Sequence, residues 1–203
     1  MPLCDIHNLE TRISMHFRKL IGRICYLSPV SKESAASWAR WDNDLEVGIP
    51  LGSEPYTPTT VESAEETIMS IIREKVHGFD IIESESDTLI GRCFLGALDH
   101  INRSCRLGIV IGEKTHWDRG FGTEAIHLLL EYAFNILNMN SVNLGTYSYN
   151  KRALACYKKV GFKEIGRRRE SRIIGEKKYD TIMFDILARE HETVYLADVL
   201  PVE

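Results

Sequence analysis

The sequence predicts an α+β (mixed α/β) fold, a single domain on one central, mostly antiparallel sheet of about seven strands with helices on both faces. Three observations point there. Strands follow one another directly between Phe79 and Ile111, as in an antiparallel meander. Strand, helix, strand, helix and two further strands then succeed one another from Cys105 to Leu187. The composition, 44% hydrophobic and 27% charged, is globular, and at 203 residues the chain is long enough to bury a substantial core.

The elements follow in order. Met1 to Arg18 show no sustained period and read as an N-terminal arm or short helix. Ile21 to Leu27 is a first strand, stopped by Ser28-Pro29, after which Ser31 is placed to cap a helix carrying Ala35, Trp38 and Trp41. Asp42 to Pro58, punctuated by Pro50, Gly52 and Pro55, reads as a loop. Thr59 and Glu62 have capping-box spacing, and Val61, Ala64, Ile68, Ile71, Ile72 and Val76 fall at helical intervals. Strands are expected over Phe79–Ile82, Leu89–Leu98 and Cys105–Ile111, the last two joined by a turn at Asn102-Arg103. A helix from Thr123 to Leu137 carries Ile126, Leu129, Leu130, Ala133 and Leu137 on one stripe, which is core packing. After the strand Val142–Thr146, Asn150 opens a helix that ends near Val160 with Gly161 as its stop. Two final strands, Lys163–Arg172 and Tyr179–Leu187, meet at Gly175-Glu176.

Charge and cysteine usage narrow the function. A formal charge of −4 argues against a nucleic-acid binder, and Arg167-Arg168-Arg169, the one basic run, reads as a solvated strand face. The same charge favours a cationic partner. No 18-residue apolar run and no apolar leader occur, so neither a membrane nor an export signal is expected, and a cytoplasmic location is. Cys4, Cys25, Cys93, Cys105 and Cys156 are scattered without a C-x-x-C pair and read as small buried hydrophobes of a reducing compartment. The histidines lack ligand spacing, so no metal site is expected.

The chemistry concentrates in two stretches. From Arg106 to Ala125 an apolar strand passes through a turn into Arg119-Gly120-Phe121-Gly122-Thr123 and a helix. The first helical N–H groups have no internal partner and carry the positive end of the dipole, and Gly120 and Gly122 let an anion approach the backbone. The second stretch reads Asn150-x-x-Ala153-x-x-x-Tyr157-x-x-x-Gly161-Phe162. Together they resemble the GNAT superfamily of acyl-CoA N-acyltransferases, in particular the branch of ribosomal-protein N-terminal acetyltransferases and spermidine acetyltransferases. The likeness spans roughly Lys19 to Glu190, which sets the domain at 19–190 with a C-terminal tail at 191–203. The phosphate loop departs from the family pattern at two places. Trp117 stands where Gln or Arg is usual, and Asp118 where glycine is common.

This resemblance implies acetyl-CoA as cosubstrate and no metal. The pantetheine arm would pair with Ile109, Val110 and Ile111 as an added strand does. The pyrophosphate would sit over the loop Trp117, Asp118, Arg119, Gly120, Phe121, Gly122 and Thr123, bonded by amides from Arg119 to Thr123. Asn150, Arg152 and Ala153 would complete the cofactor side. Tyr157, a phenol protonated at neutral pH, is the implied general acid for the departing thiolate, with a backbone N–H near Val110 stabilising the oxyanion. Glu113 and His116 are open alternatives for a base, beside a plain solvated-loop role. A core tyrosine is the structural alternative for Tyr157.

Two other classes compete. Gly120-x-Gly122-x-x-Ala125 also fits a nicotinamide fingerprint, but Asn138 to Thr146 lack the acidic ribose ligand expected about 20 residues on. A non-catalytic CoA-binding or regulatory module shares the same fold and differs only in showing no thiol release. The acceptor is an amine, with a polyamine, a protein N-terminus and a small amine all open. Trp41, Asp44, Glu46 and Tyr56 are available to line its site. Oligomeric state is open too, with a homodimer one alternative.

Overall fold

The computed structural model describes residues 16–52, 54–74 and 76–201, so Cys4 and most of the expected arm fall outside the described residues. One eight-stranded sheet runs through the molecule. Its strands are β1 (Leu20–Ile21), β2 (Cys25–Pro29), β3 (His77–Glu83), β4 (Thr88–Asp99), β5 (Ser104–Ile111), β6 (Ser141–Tyr147), β7 (Lys163–Ile174) and β8 (Lys177–Leu187). Their spatial order is β1-β2-β3-β4-β5-β6-β8-β7, and every neighbouring pair is antiparallel except β5 with β6. The helices are α1 (Ala35–Asn43), α2 (Leu45–Gly48), α3 (Val61–Arg73), α4 (Phe121–Glu131) and α5 (Lys151–Val160).

Alternation along β5 shows how the sheet acquires two covered faces. Cys105, Leu107, Ile109 and Ile111 join the larger core, where they meet Ala125, Ile126 and Leu129 of α4 and Tyr157 and Val160 of α5. Val110 points the other way, into a second core with Trp38 and Trp41 of α1 and Ile68 of α3. Helices therefore pack on both sides, and the mixed, mostly antiparallel class holds.

Several element boundaries differ from expectation for identifiable reasons. The first expected strand is two, β1 and β2, separated by a turn whose Arg23, Ile24 and Cys25 N–H groups each donate to the Glu124 carboxylate at 2.8 Å. Ser31 caps no helix with its side chain. Its N–H instead bonds Asp80, and a 3-10 turn over Lys32–Ser34 leads into α1. The expected loop from Asp42 to Pro58 contains α2, capped by the Asp44 side chain, and a 3-10 turn at Glu54–Tyr56. The capping box of α3 is formed by Thr60 and Ser63, one residue later than the spacing of Thr59 and Glu62 suggested. α4 begins at Phe121 instead of Thr123 and ends in a π-helical turn over Tyr132–Ile136. Beyond β8, the tail lies along α4: Glu131, fully buried, accepts the N–H groups of Val194, Tyr195 and Leu196. No helix among the described residues is long and apolar enough to cross a membrane.

Asp80 on β3 gives the fold a measurable pH signature. It is fully buried, accepting from Ser34 Oγ at 2.5 Å and from Trp38 Nε1 at 3.1 Å. Burial pushes its carboxyl up to about 6 against those hydrogen bonds. The folded chain thus holds this proton more tightly than the unfolded chain, whose carboxyl titrates near 3.8. The resulting stability is fully present below the unfolded value and is lost as pH rises through about 6. Asp80→Asn keeps the shape without the titration. Across that window the wild type should lose on the order of 2 kcal/mol relative to the variant, read from melting temperatures at matched pH. Parallel profiles would show that Asp80 does not titrate there.

Candidate active site

The site is where the sheet opens. β5 and β6 pair in parallel only from Ser104 to Arg106, opposite Ser141 to Asn143. β6 remains paired to β8 as far as Tyr147, so Leu107–Ile111 and Gly145–Tyr147 become the two banks of a cleft of about 870 Å³. That is a volume suited to a cofactor-sized ligand. On its other side β5 is bonded to β4, with Gly112 N–H donating to the Ile90 carbonyl at 2.9 Å. Antiparallel alternation then directs the bonding groups of Val110 and Gly108 to β4 and those of Leu107, Ile109 and Ile111 into the cleft. The N–H available to an oxyanion is therefore that of Ile109 or Ile111, next to Val110.

At the end of β5 the chain turns through a 3-10 segment, Lys114–His116, and reaches Gly120, the N-cap of α4, in the left-handed region at φ +92°. No β-carbon is tolerated there without strain. Phe121, Gly122 and Thr123 form the first turn, and the first intrahelical bond runs from Glu124 N–H to the Gly120 carbonyl. The three preceding N–H groups are left for a ligand. Asp118, the acidic residue in a place where glycine is common, has φ +59°. Aspartate is one of the few side chains that accept this conformation, which accounts for the exchange. Arg119 faces away from the cleft, with Nη2 3.9 Å from Glu83 and its guanidinium over the Phe121 ring.

Trp117 turns inward and lines the cleft. Its indole N–H donates to the Ile111 carbonyl at 2.7 Å, and the Arg152 guanidinium lies over its ring at 3.5 Å. The terminal carbonyl of the β5 edge is thus already bonded, which leaves the groups of Ile109 and the Ile111 N–H to pair with an incoming amide.

α5 also lines the cleft. Asn150 is its N-cap, with Oδ1 accepting from Ala153 N–H at 3.2 Å, so the cap itself orients the side chain at the cleft edge. Gly161 ends the helix at φ +108°. Asn150, Arg152, Ala153 and Tyr157 all line the cleft, as do Ile109, Val110, Ile111, Asp118, Gly120, Phe121, Gly122 and Thr123. Tyr157 is 8% exposed, its ring packed on Phe162 and Phe184. Burial first, and the neighbouring Cys156 second, raise its phenol above the ordinary value.

Some expected site residues lie elsewhere. Glu113 is committed to Arg40 and to Trp41 Nε1, 3.0 Å away. Partial burial raises its carboxyl, but those partners outweigh burial and hold it below the usual carboxylate range, so it is a poor base. His116 lines the cleft at the phosphate-loop end, 3.4 Å from Glu83. Of the acceptor-side candidates Glu46 alone lines the cleft. Trp41 is buried, Asp44 caps α2 and pairs Lys114, and Tyr56 is exposed against Arg172. Sequence reasoning missed Glu54, Phe94, Arg106 and Tyr147 in the lining; Arg167, Arg168 and Arg169 are exposed, as a solvated strand face requires, and Arg168 also lines the cleft.

A splayed parallel pair inside an otherwise antiparallel sheet leaves an unpaired strand edge and the N-terminal amides of α4 facing one cleft. Comparison with known proteins gives the family: residues 25–163 match the Acetyltransferase (GNAT) domain family, and the chain belongs to it. A relative from Bacillus licheniformis, named as the uncharacterized N-acetyltransferase p20, is 27% identical over 169 residues, covering 81% of this chain and 93% of the relative. The putative ribosomal N-acetyltransferase YdaF of Bacillus subtilis is 28% identical over 138 residues, covering 66% and 75%. Among solved structures, spermidine N-acetyltransferase from Vibrio cholerae, in complex with CoA and spermine, superposes with a TM-score of 0.74 at 24% identity. That match covers 82% of this chain and 96% of the other, and it shows a shared fold.

Proposed function

We propose that the protein is an acetyl-CoA-dependent N-acetyltransferase that moves the acetyl group to a primary amine by direct attack on the thioester. The observation that carries this is the free edge of β5 running toward the free amides of Phe121, Gly122 and Thr123. A pantetheine arm needs backbone-like pairing and a diphosphate needs converging N–H donors, and the two lie in one cleft. The residues fit such a ligand, because Gly120 stands where a β-carbon would be strained and Gly122 where one would meet Ile111 and Cys156 in the cleft lining.

In this reading Ile109 or Ile111 N–H meets the charge that develops on the thioester oxygen. Tyr157 holds the proton for the departing sulfur. Its raised phenol does not disqualify it, since a thiolate leaving into the same apolar surroundings is penalised as the buried thiols are; burial raises Cys156 as well. For the acceptor, Glu46 and Glu54 line the cleft, and Glu54 Oε2 is buried with no hydrogen-bond partner among the described residues, which favours an N–H-bearing, cationic molecule. The spermidine and ribosomal names of the relatives support an amine acceptor without choosing one.

Thermal shift with acetyl-CoA followed by thiol release across an amine panel tests the reading. Stabilisation and release with primary amines, cationic ones foremost, are expected. Stabilisation with no release from any amine would leave a CoA-binding module, and activity confined to neutral or anionic acceptors would overturn the charge argument.

A further inference from the structure

The charge that α5 brings to the cleft is all positive. Lys151, Arg152 and Lys159 line it from α5, and none of them takes part in an ion pair among the described residues, although the chain as a whole carries −4. The phosphate loop supplies no free cation of its own. Arg119 is directed to Glu83 and to the Thr115 carbonyl, and Asp118 adds a negative charge. Arg152 is also the one of the three held in place, its guanidinium 3.5 Å from the ring centre of Trp117. Trp117 in turn is fixed by the bond from its indole to the Ile111 carbonyl. A planar guanidinium stacked on an indole keeps its fork of N–H donors free at the edge, and it forfeits less rotamer freedom on meeting an anion.

Two kinds of phosphate need different partners. A diphosphate bridge spreads its charge over several oxygens and suits helix N-terminal amides, whose combined pull is about half an elementary charge. A phosphate monoester carries up to about two charges at neutral pH and calls for full cations in bidentate geometry. Resting on the acetyl-CoA reading above, we propose that Arg152, positioned by Trp117 with Lys151 beside it and Lys159 two turns further along α5, is the subsite for the terminal 3′-phosphate of CoA. The protein then selects CoA over 3′-dephospho-CoA, and Trp117 acts on that phosphate through Arg152 rather than by touching it.

Calorimetry with CoA and 3′-dephospho-CoA tests this on the wild type, Arg152→Gln, Arg152→Lys and Trp117→Leu, with melting temperatures recorded on the same samples. The wild type should bind CoA about tenfold or more tightly than the dephospho form. Arg152→Gln should erase most of that preference by weakening CoA alone, so that unchanged dephospho-CoA affinity doubles as the folding control. Arg152→Lys should keep part of it, and Trp117→Leu should lose part of it in the same direction. Equal wild-type affinities, or an Arg152→Gln loss shared by both ligands, would overturn the subsite. Tighter CoA binding in Trp117→Leu would overturn the positioning role. A wild type that binds neither ligand removes the reading of the cleft itself, which is a different failure.

Discussion

Tyr157→Phe should lower turnover by about 10²–10⁴-fold while leaving acetyl-CoA affinity nearly unchanged. The ring contributes to the larger core through Phe162 and Phe184, and phenylalanine preserves those contacts. The hydroxyl makes no hydrogen bond to another described residue and opens on the cleft, so its loss strands no partner. Stability should therefore stay within about 1 kcal/mol of the wild type. Because the phenol lies above its ordinary value, its ionisation adds no limb to the rate profile below that value. Thiol-release rates, calorimetric affinity and melting temperature on one preparation separate the roles: near-normal turnover would mean that water or another group protonates the sulfur.

Gly122→Val should weaken acetyl-CoA binding by about 10–100-fold, the equivalent of one charge-assisted hydrogen bond lost at the α4 N-terminus. The free protein has room for the change. A β-carbon at Gly122 meets Ile111 Cγ1 at 3.6 Å and Cys156 Sγ at 4.0 Å, both ordinary contacts, and these two side chains line the cleft between β5 and α5. The valine branches thus occupy ligand space and leave the fold undisturbed. Gly120 offers no such separation, since at φ +92° any replacement strains the loop itself. An unchanged affinity in folded Gly122→Val would remove this turn from the binding site.

How much of this was legible depends on whether the cause is local. Asn150, the N-cap, and Gly161, the left-handed stop, frame α5 with chemistry contained in one helix, and both ends were readable. The same holds for the stripe of Ile126, Leu129, Leu130 and Ala133, all buried as their spacing required. Glu124 and Glu131 interrupt that helix and would pass as its solvent face. They are buried because the N–H groups of Arg23, Ile24 and Cys25 converge on one and those of Val194, Tyr195 and Leu196 on the other. Nothing within α4 announces those partners.

The sequence by itself determined the order of the longer strands and helices, with α2 and the division of β1 from β2 unforeseen, the glycine-bearing turn ahead of α4 and the Asn–Ala–Tyr face of α5, because hydrophobic period and left-handed turn positions are properties of neighbouring residues. Only the tertiary structure decided where β5 parts from β6, that Trp117 bonds Ile111 and carries Arg152, and that Glu113 is spent on Arg40 and Trp41. Those are pairings between side chains and strand edges far apart in the chain. Their energies depend on the geometry of approach, which local spacing does not encode.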